Sequence, residues 1–156
     1  MSYAMKIREK VGHDRIFLPG VRAIILNSNN EILLQLRTDT GLWGLSAGAV
    51  ELGETAMEAL KREVYEETAL EVLDAEPMGL YSGASQQFSF PNGDKVQPFA
   101  IAFIVRKWRG APKPDGKEGS ELRFWKLEEL PENIVEIHKR TILDFTNYNG
   151  KFQLYG

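Results

Sequence analysis

Residues 48 to 70 read Gly48-Ala49-Val50-Glu51-Leu52-Gly53-Glu54-Thr55-Ala56-Met57-Glu58-Ala59-Leu60-Lys61-Arg62-Glu63-Val64-Tyr65-Glu66-Glu67-Thr68-Ala69-Leu70, and this stretch decides the fold and most of the chemistry. Thr55 and Glu58 form a Thr-x-x-Glu capping box, in which a hydroxyl and a carboxylate satisfy free backbone N–H groups at a helix start. A helix is therefore expected over roughly Thr55 to Thr68. Its second half carries Glu63, Glu66 and Glu67, and spacings of three and four residues place all three on one face. Towards the helix start that face carries Ala56 and Ala59, so the stripe that should enter the core turns acidic halfway along.

One reading is a solvated acidic face. It fits poorly, because Glu63 and Glu67 are like charges four residues apart and sit in the helix half where the macrodipole disfavours anions. The other reading is a divalent-cation site, since hard cations gather carboxylates. Gly41, Gly44, Gly48 and Gly53 precede the helix and give a loop whose backbone can approach a ligand closely. Loop and acids together suggest magnesium acting on a phosphate-bearing substrate.

Outward from the helix, Val21 to Leu26 and Glu31 to Leu36 are apolar runs separated by Asn27-Ser28-Asn29-Asn30, which is hairpin-turn chemistry. Lys95 to Trp108 is a strand with two apolar faces: Phe99, Ile101, Phe103 and Val105 on one, Ala100, Ala102 and Ile104 on the other. Such a strand belongs in mid-sheet with layers on each side. Glu121 to Leu127 is a further short strand, and a second helix is expected near Asn133 to Phe145. Strands bracketing two helices imply an α/β fold, an α/β/α sandwich with a mixed sheet between the helices. No repeat or low-complexity linker interrupts the chain, so residues 1–156 are expected to form one domain.

Composition narrows the chemistry. The 156 residues contain no cysteine and two histidines, which excludes thiolate metal sites, a cysteine nucleophile and a histidine-rich centre. Any metal is expected to be held by oxygen, as magnesium, manganese or calcium would be. A formal net charge of -3 gives no general pull towards nucleic acid or acidic membranes. No apolar run is long enough to span a bilayer, and Met1 to Lys10 does not read as a signal peptide, so a cytoplasmic protein is expected.

The stretch resembles the signature of the Nudix hydrolases, Gly-x5-Glu-x7-Arg-Glu-U-x-Glu-Glu-x-Gly-U with U a bulky aliphatic residue. Gly48, Glu54, Arg62, Glu63, Glu66 and Glu67 match its fixed positions, and Val64 and Leu70 its aliphatic ones. Six fixed matches arise by chance on the order of once in ten million placements. Trp43-Gly44-Leu45, Phe90-Pro91-Asn92-Gly93-Asp94, Glu121 to Trp125 and Leu130-Pro131 also resemble small bacterial, MutT-like members. Two departures stand out. Ala69 replaces the final glycine, a position read as closing the helix in left-handed geometry, and Ser46-Ala47 stands where many relatives have Pro-Gly.

The resemblance implies magnesium as cofactor, with manganese able to substitute. It implies Glu63, Glu66 and Glu67 as metal ligands, with the Gly48 carbonyl as a further oxygen. Arg62 is then structural, pairing with Glu58 or Glu66. Glu54 joins the metal shell or orients water, and the general base lies among Glu54, Glu63, Glu67 and Glu118. Arg37 clamps a phosphate or holds a glutamate of the signature. Trp43 and Phe90 are read as core residues more readily than as a platform for a base. The activity implied is hydrolysis of a small-molecule nucleotide substrate, a nucleoside diphosphate linked to another group: an ordinary or oxidised nucleoside triphosphate, ADP-ribose, a nucleotide sugar or a dinucleotide. A nucleotide-sensing module without turnover is the alternative. No nucleic-acid or membrane partner is expected, and a homodimer is left open.

Overall fold

A computed structural model describes residues 1–156. Nine strands and three helices follow in the order α1 (Tyr3–Val11), β1 (Ile16–Ile25), β2 (Ile32–Arg37), β3 (Trp43–Gly44), β4 (Ser46–Ala49), α2 (Ala56–Thr68), β5 (Glu71–Tyr81), β6 (Phe88–Ser89), β7 (Lys95–Arg109), β8 (Gly119–Trp125), α3 (Glu136–Thr146) and β9 (Gln153–Tyr155). The main sheet runs β4-β1-β7-β5-β9, with β6 also on β7, and is mixed: β1 is parallel to β7 and β9 to β5, while the other pairs are antiparallel.

The two apolar faces of β7 carry one core each. Phe103 and Val105 join Val21, Ala23 and Ile25 of β1 beneath Ala59, Leu60 and Val64 of α2. Ala102 and Ile104 join Ile24 and Leu26 beneath Ile134 and Ile142 at the other helix. The expected α/β/α sandwich with a mixed sheet is thus observed, and β7 occupies the predicted mid-sheet place. Arg22 lies on the α3 side of β1, buried, donating to Thr141 Oγ1 at 3.1 Å and Gln86 Oε1 at 2.6 Å, with its guanidinium 4.9 Å from the Tyr81 ring.

Two expectations need correction. The Asn27–Asn30 turn does not build an extended hairpin: a single bridge, Leu26 to Ile32, joins the runs it separates. After it, β2 leaves for a second, antiparallel sheet, β3-β2-β8, while β1 is completed by β7 far along the chain. The last helix starts at Glu136 rather than near Asn133, because Trp43 N–H donates to Asn133 carbonyl at 2.9 Å and Val135 N–H to Trp43 carbonyl at 2.8 Å. No helix is long and apolar enough to cross a membrane.

The register of β4 on β1, from Gly20 opposite Ala49 to Ala23 opposite Ser46, sets Gly48 opposite Val21 at the sheet edge beside α2. Thr55 caps α2, its hydroxyl accepting the Glu58 N–H at 3.1 Å. The helix closes at Ala69, which is left-handed at φ 63° and ψ 10°. These two ends fix how far the acidic half of α2 reaches over β4.

Candidate active site

The acidic face of α2 points inward, against the solvated reading. Glu67 is 1% exposed, and the Glu63 side chain is 14% exposed, whereas that of Glu66 is 57% exposed. Glu63 lies directly over Gly48: a Cβ there would run into its carboxyl carbon and both oxygens. The glycine is required because a carboxylate occupies the space where its side chain would be.

Arg62 ties the loop to the helix. Its Nε and Nη2 fork onto Glu54 at 2.6 and 2.9 Å, Nη1 donates to Glu63 at 2.8 Å and Glu66 at 3.3 Å, and Nη2 also reaches the Ala49 carbonyl at 2.9 Å. Of the partners expected for Arg62, Glu66 is engaged and Glu58 is not; Glu58 instead serves the cap through its N–H. The Arg62 fork, helped by the Glu51 N–H at 2.8 Å, holds the Glu54 carboxyl down to about 2. Both Glu54 oxygens are therefore committed.

Burial is the main force pushing the Glu67 carboxyl well up, followed by its hydrogen bond to Glu63 and the like charges of Glu63 and Glu118. Burial also raises Glu63, which the Glu67 hydrogen bond and Arg62 partly offset. With both groups ionised, Glu67 Oε1 has no partner at all. Sequence reasoning missed Gln35, a buried residue of β2 whose Nε2 donates to Glu67 Oε2. Gly119 of β8 makes room for it, since a Cβ there would sit 2.7 Å from Gln35 Oε1. Glutamine inside an otherwise apolar run is the signal that marks this position.

Glu63, Glu66 and Glu67 do not converge as three ligands on one point. Arg62 holds Glu63 and Glu66, and Gln35 holds Glu67, so each carboxyl is oriented by a protein partner. The donor set nonetheless fits a hard divalent cation. Glu67 Oε1 is buried without a partner, as is Ser46 Oγ two residues before Gly48 on the same side of β4, and Gly48 leaves the backbone open to Glu63.

Other expected residues lie around this centre. Arg37, at the end of β2, forks onto Asp39 at 3.0 and 2.8 Å and holds no glutamate of the signature. Glu118 is exposed on the turn before β8, a turn built by Asp115 Oδ1 accepting the N–H groups of Lys117, Glu118 and Gly119 and by Thr38 N–H donating to the Glu118 carbonyl at 2.9 Å. Trp43 is a core residue, 7% exposed and edge-on to Trp125 at 5.1 Å, and Phe90 packs edge-on to Phe88 at 5.0 Å. His138 is a buried acceptor for the Leu45 N–H at 3.1 Å, held neutral by burial and then by Arg22 and Arg37. A Cβ on Gly44 would lie 2.9 Å from its Nδ1, so His138 fixes the strand leading into β4.

Comparison with known proteins agrees with this architecture. The family model of the NUDIX domain matches residues 17–145. A putative 8-oxo-dGTP diphosphatase of Bacillus subtilis is 33% identical over 132 residues, covering 85% of this chain and 82% of that protein. An ADP-ribose pyrophosphatase of Methanocaldococcus jannaschii is 31% identical over 155 residues, covering 95% and 87%. Among solved structures, a MutT Nudix hydrolase from Burkholderia pseudomallei shares the fold with a TM-score of 0.69 at 22% identity, covering 82% of this chain and 97% of the other. Signature, fold and relatives agree that the chain belongs to the Nudix family.

Proposed function

We propose that the chain hydrolyses the diphosphate bond of a nucleoside diphosphate linked to a further group, releasing a nucleoside monophosphate and the phosphorylated remainder. The observation that carries this reading is the buried Glu67 beside a half-buried Glu63 that lies over Gly48, two carboxyls that local stability disfavours. Glu63, Glu66 and Glu67, with the Gly48 carbonyl, would hold magnesium, for which manganese can substitute. The bound ion supplies charge neutralisation for phosphate oxygens and a more acidic water. Arg62 and Glu54 keep loop and helix in register, so Glu54 positions the site and takes no proton. The base that accepts the water's proton is drawn from Glu63, Glu67 and Glu118, and Arg37 at the rim supplies a cation for a substrate phosphate.

The relatives named for 8-oxo-dGTP and ADP-ribose hydrolysis support a nucleoside diphosphate core and leave the attached group open. The second reading is a nucleotide-binding module without turnover. A substrate panel decides between them: nucleoside triphosphates, oxidised guanine nucleotides, ADP-ribose, dinucleotides and nucleotide sugars at mildly alkaline pH with magnesium or manganese. Release of a monophosphate from at least one compound supports hydrolysis, and release from none refutes it.

A further inference from the structure

Ser46 stands where many relatives have proline, and it carries a polar atom that strand packing does not explain. The residue is 4% exposed, and its Oγ is buried without a hydrogen-bond partner. It pairs with Ala23 of β1, whose side chain belongs to the core beneath α2, so Ser46 faces that helix. Alanine would fill the same space without leaving a buried oxygen unpaired. Glu67 lies over this position. On one side it is hydrogen-bonded to Glu63, which stands over Gly48. On the other it accepts from Nε2 of Gln35, the residue opposite Gly44 in β3. Ser46 is midway between those two glycines in the chain. The spacing agrees: the helical turn from Glu63 to Glu67 rises about 5.4 Å, and the two strand residues from Gly48 to Ser46 span roughly 6.6 Å. Glu67 Oε1 is likewise buried without a partner, while Gln35 Oε1, also unpaired, turns towards Gly119 of β8.

We propose that Ser46 Oγ is an oxygen ligand of the divalent cation held by Glu67, one that the signature of the family does not supply. The proposal rests on the reading that the carboxyls of α2 hold such an ion. A hydroxyl offers lone pairs to a cation while staying neutral, and hard divalent cations take oxygen donors. Serine and threonine hydroxyls bind magnesium in this way at phosphate-binding loops. Ser46 Oγ and Glu67 Oε1 do not bond each other, so one ion that takes both satisfies two orphaned oxygens at once, one from the strand and one from the helix. Proline at this position has no side-chain oxygen to give, so the ligand belongs to this chain's own departure from the usual pattern.

The test is ion binding, which needs neither substrate nor turnover. Manganese is titrated into the full chain, and the free ion is counted by its electron paramagnetic resonance signal. Ser46→Ala keeps the backbone N–H and removes only the hydroxyl, and it is expected to weaken manganese binding about ten-fold or more. Thermal melting in chelator gives the second readout. There Ser46→Ala is expected to melt at the same temperature as the unsubstituted chain or higher, because it loses only an unpaired buried hydroxyl. A shift of the melting temperature on adding manganese should be smaller in the variant. Unchanged manganese affinity in Ser46→Ala overturns the proposal, and so does a lower melting temperature in chelator, which marks a hydroxyl that serves the fold. Glu67→Gln separates the two readings. Manganese lost in Glu67→Gln but kept in Ser46→Ala leaves the ion on α2 and removes Ser46 from it. Manganese binding that neither substitution changes overturns both.

Discussion

Replacing Glu67 by glutamine is expected to stabilise the protein without metal while disabling it. Glu67 is 1% exposed, accepts one N–H from Gln35 and, when ionised, leaves Oε1 buried without a partner. A glutamine of the same shape keeps the acceptor for Gln35 and turns the orphaned oxygen into a donor facing Glu63. An unsatisfied buried acceptor costs about 1–3 kcal/mol, which in a chain of this size corresponds to roughly 2–12 °C in Tm. Because the folded carboxyl is raised above its ordinary 4.5, its stabilising contribution is complete below that value and is lost as pH rises through the folded value. The gap between Glu67→Gln and the unsubstituted protein should therefore be small at pH 4 and open towards neutrality. Calorimetric melting in chelator over pH 4 to 8 measures this. Added magnesium should raise Tm for the unsubstituted chain and much less for the variant, whose kcat should fall about 10²–10⁴-fold. Equal or lower stability of the variant at neutral pH, or an equal magnesium response in both, refutes the reasoning.

Ala69→Gly should stabilise by about 1 kcal/mol, since alanine is held at φ 63° with its methyl exposed; thermal melting should show a rise of roughly 2–4 °C. Gly48→Ala forces Glu63 off its place and should lower kcat on the order of 100-fold in a chain whose circular dichroism is unchanged. Gln35→Leu removes the donor that orients Glu67 and should weaken magnesium binding by about 10–100-fold in a calorimetric titration.

What the sequence made legible follows from local chemistry. The Thr55 cap, the acidic face of α2 and the two apolar faces of β7 are periodic patterns within single elements, and each stands where it was expected except at Phe99, which lies near the start of β7 before the covered stretch and is 50% exposed. Ala69 in left-handed geometry is equally local. Pairing over long distance was not legible: nothing in Val21 to Leu26 tells that β7 completes it instead of β2. β5 escaped notice because Pro77 and three register shifts break its alternation, and α1 because it buries no residue. In the site, the six matched positions are brought to one edge of the sheet, but Arg62 chose Glu54 over Glu58 because the loop folds back beneath the helix. Gln35 and His138 act through partners 32 and 93 residues away, a relation that only the fold creates.

The central claim, metal-dependent diphosphate cleavage by the acidic face of α2, is tested most directly by ³¹P NMR on one reaction. The chain and the best compound of the panel are followed with magnesium, with chelator, and with Glu66→Gln in place of the unsubstituted protein. Glu66 is the exposed member of the set, so its replacement leaves packing intact. Diphosphate signals converting to monophosphate signals only with magnesium and only with Glu66 present is the predicted result. Conversion that continues in chelator, or at an unchanged rate in Glu66→Gln, would contradict the account.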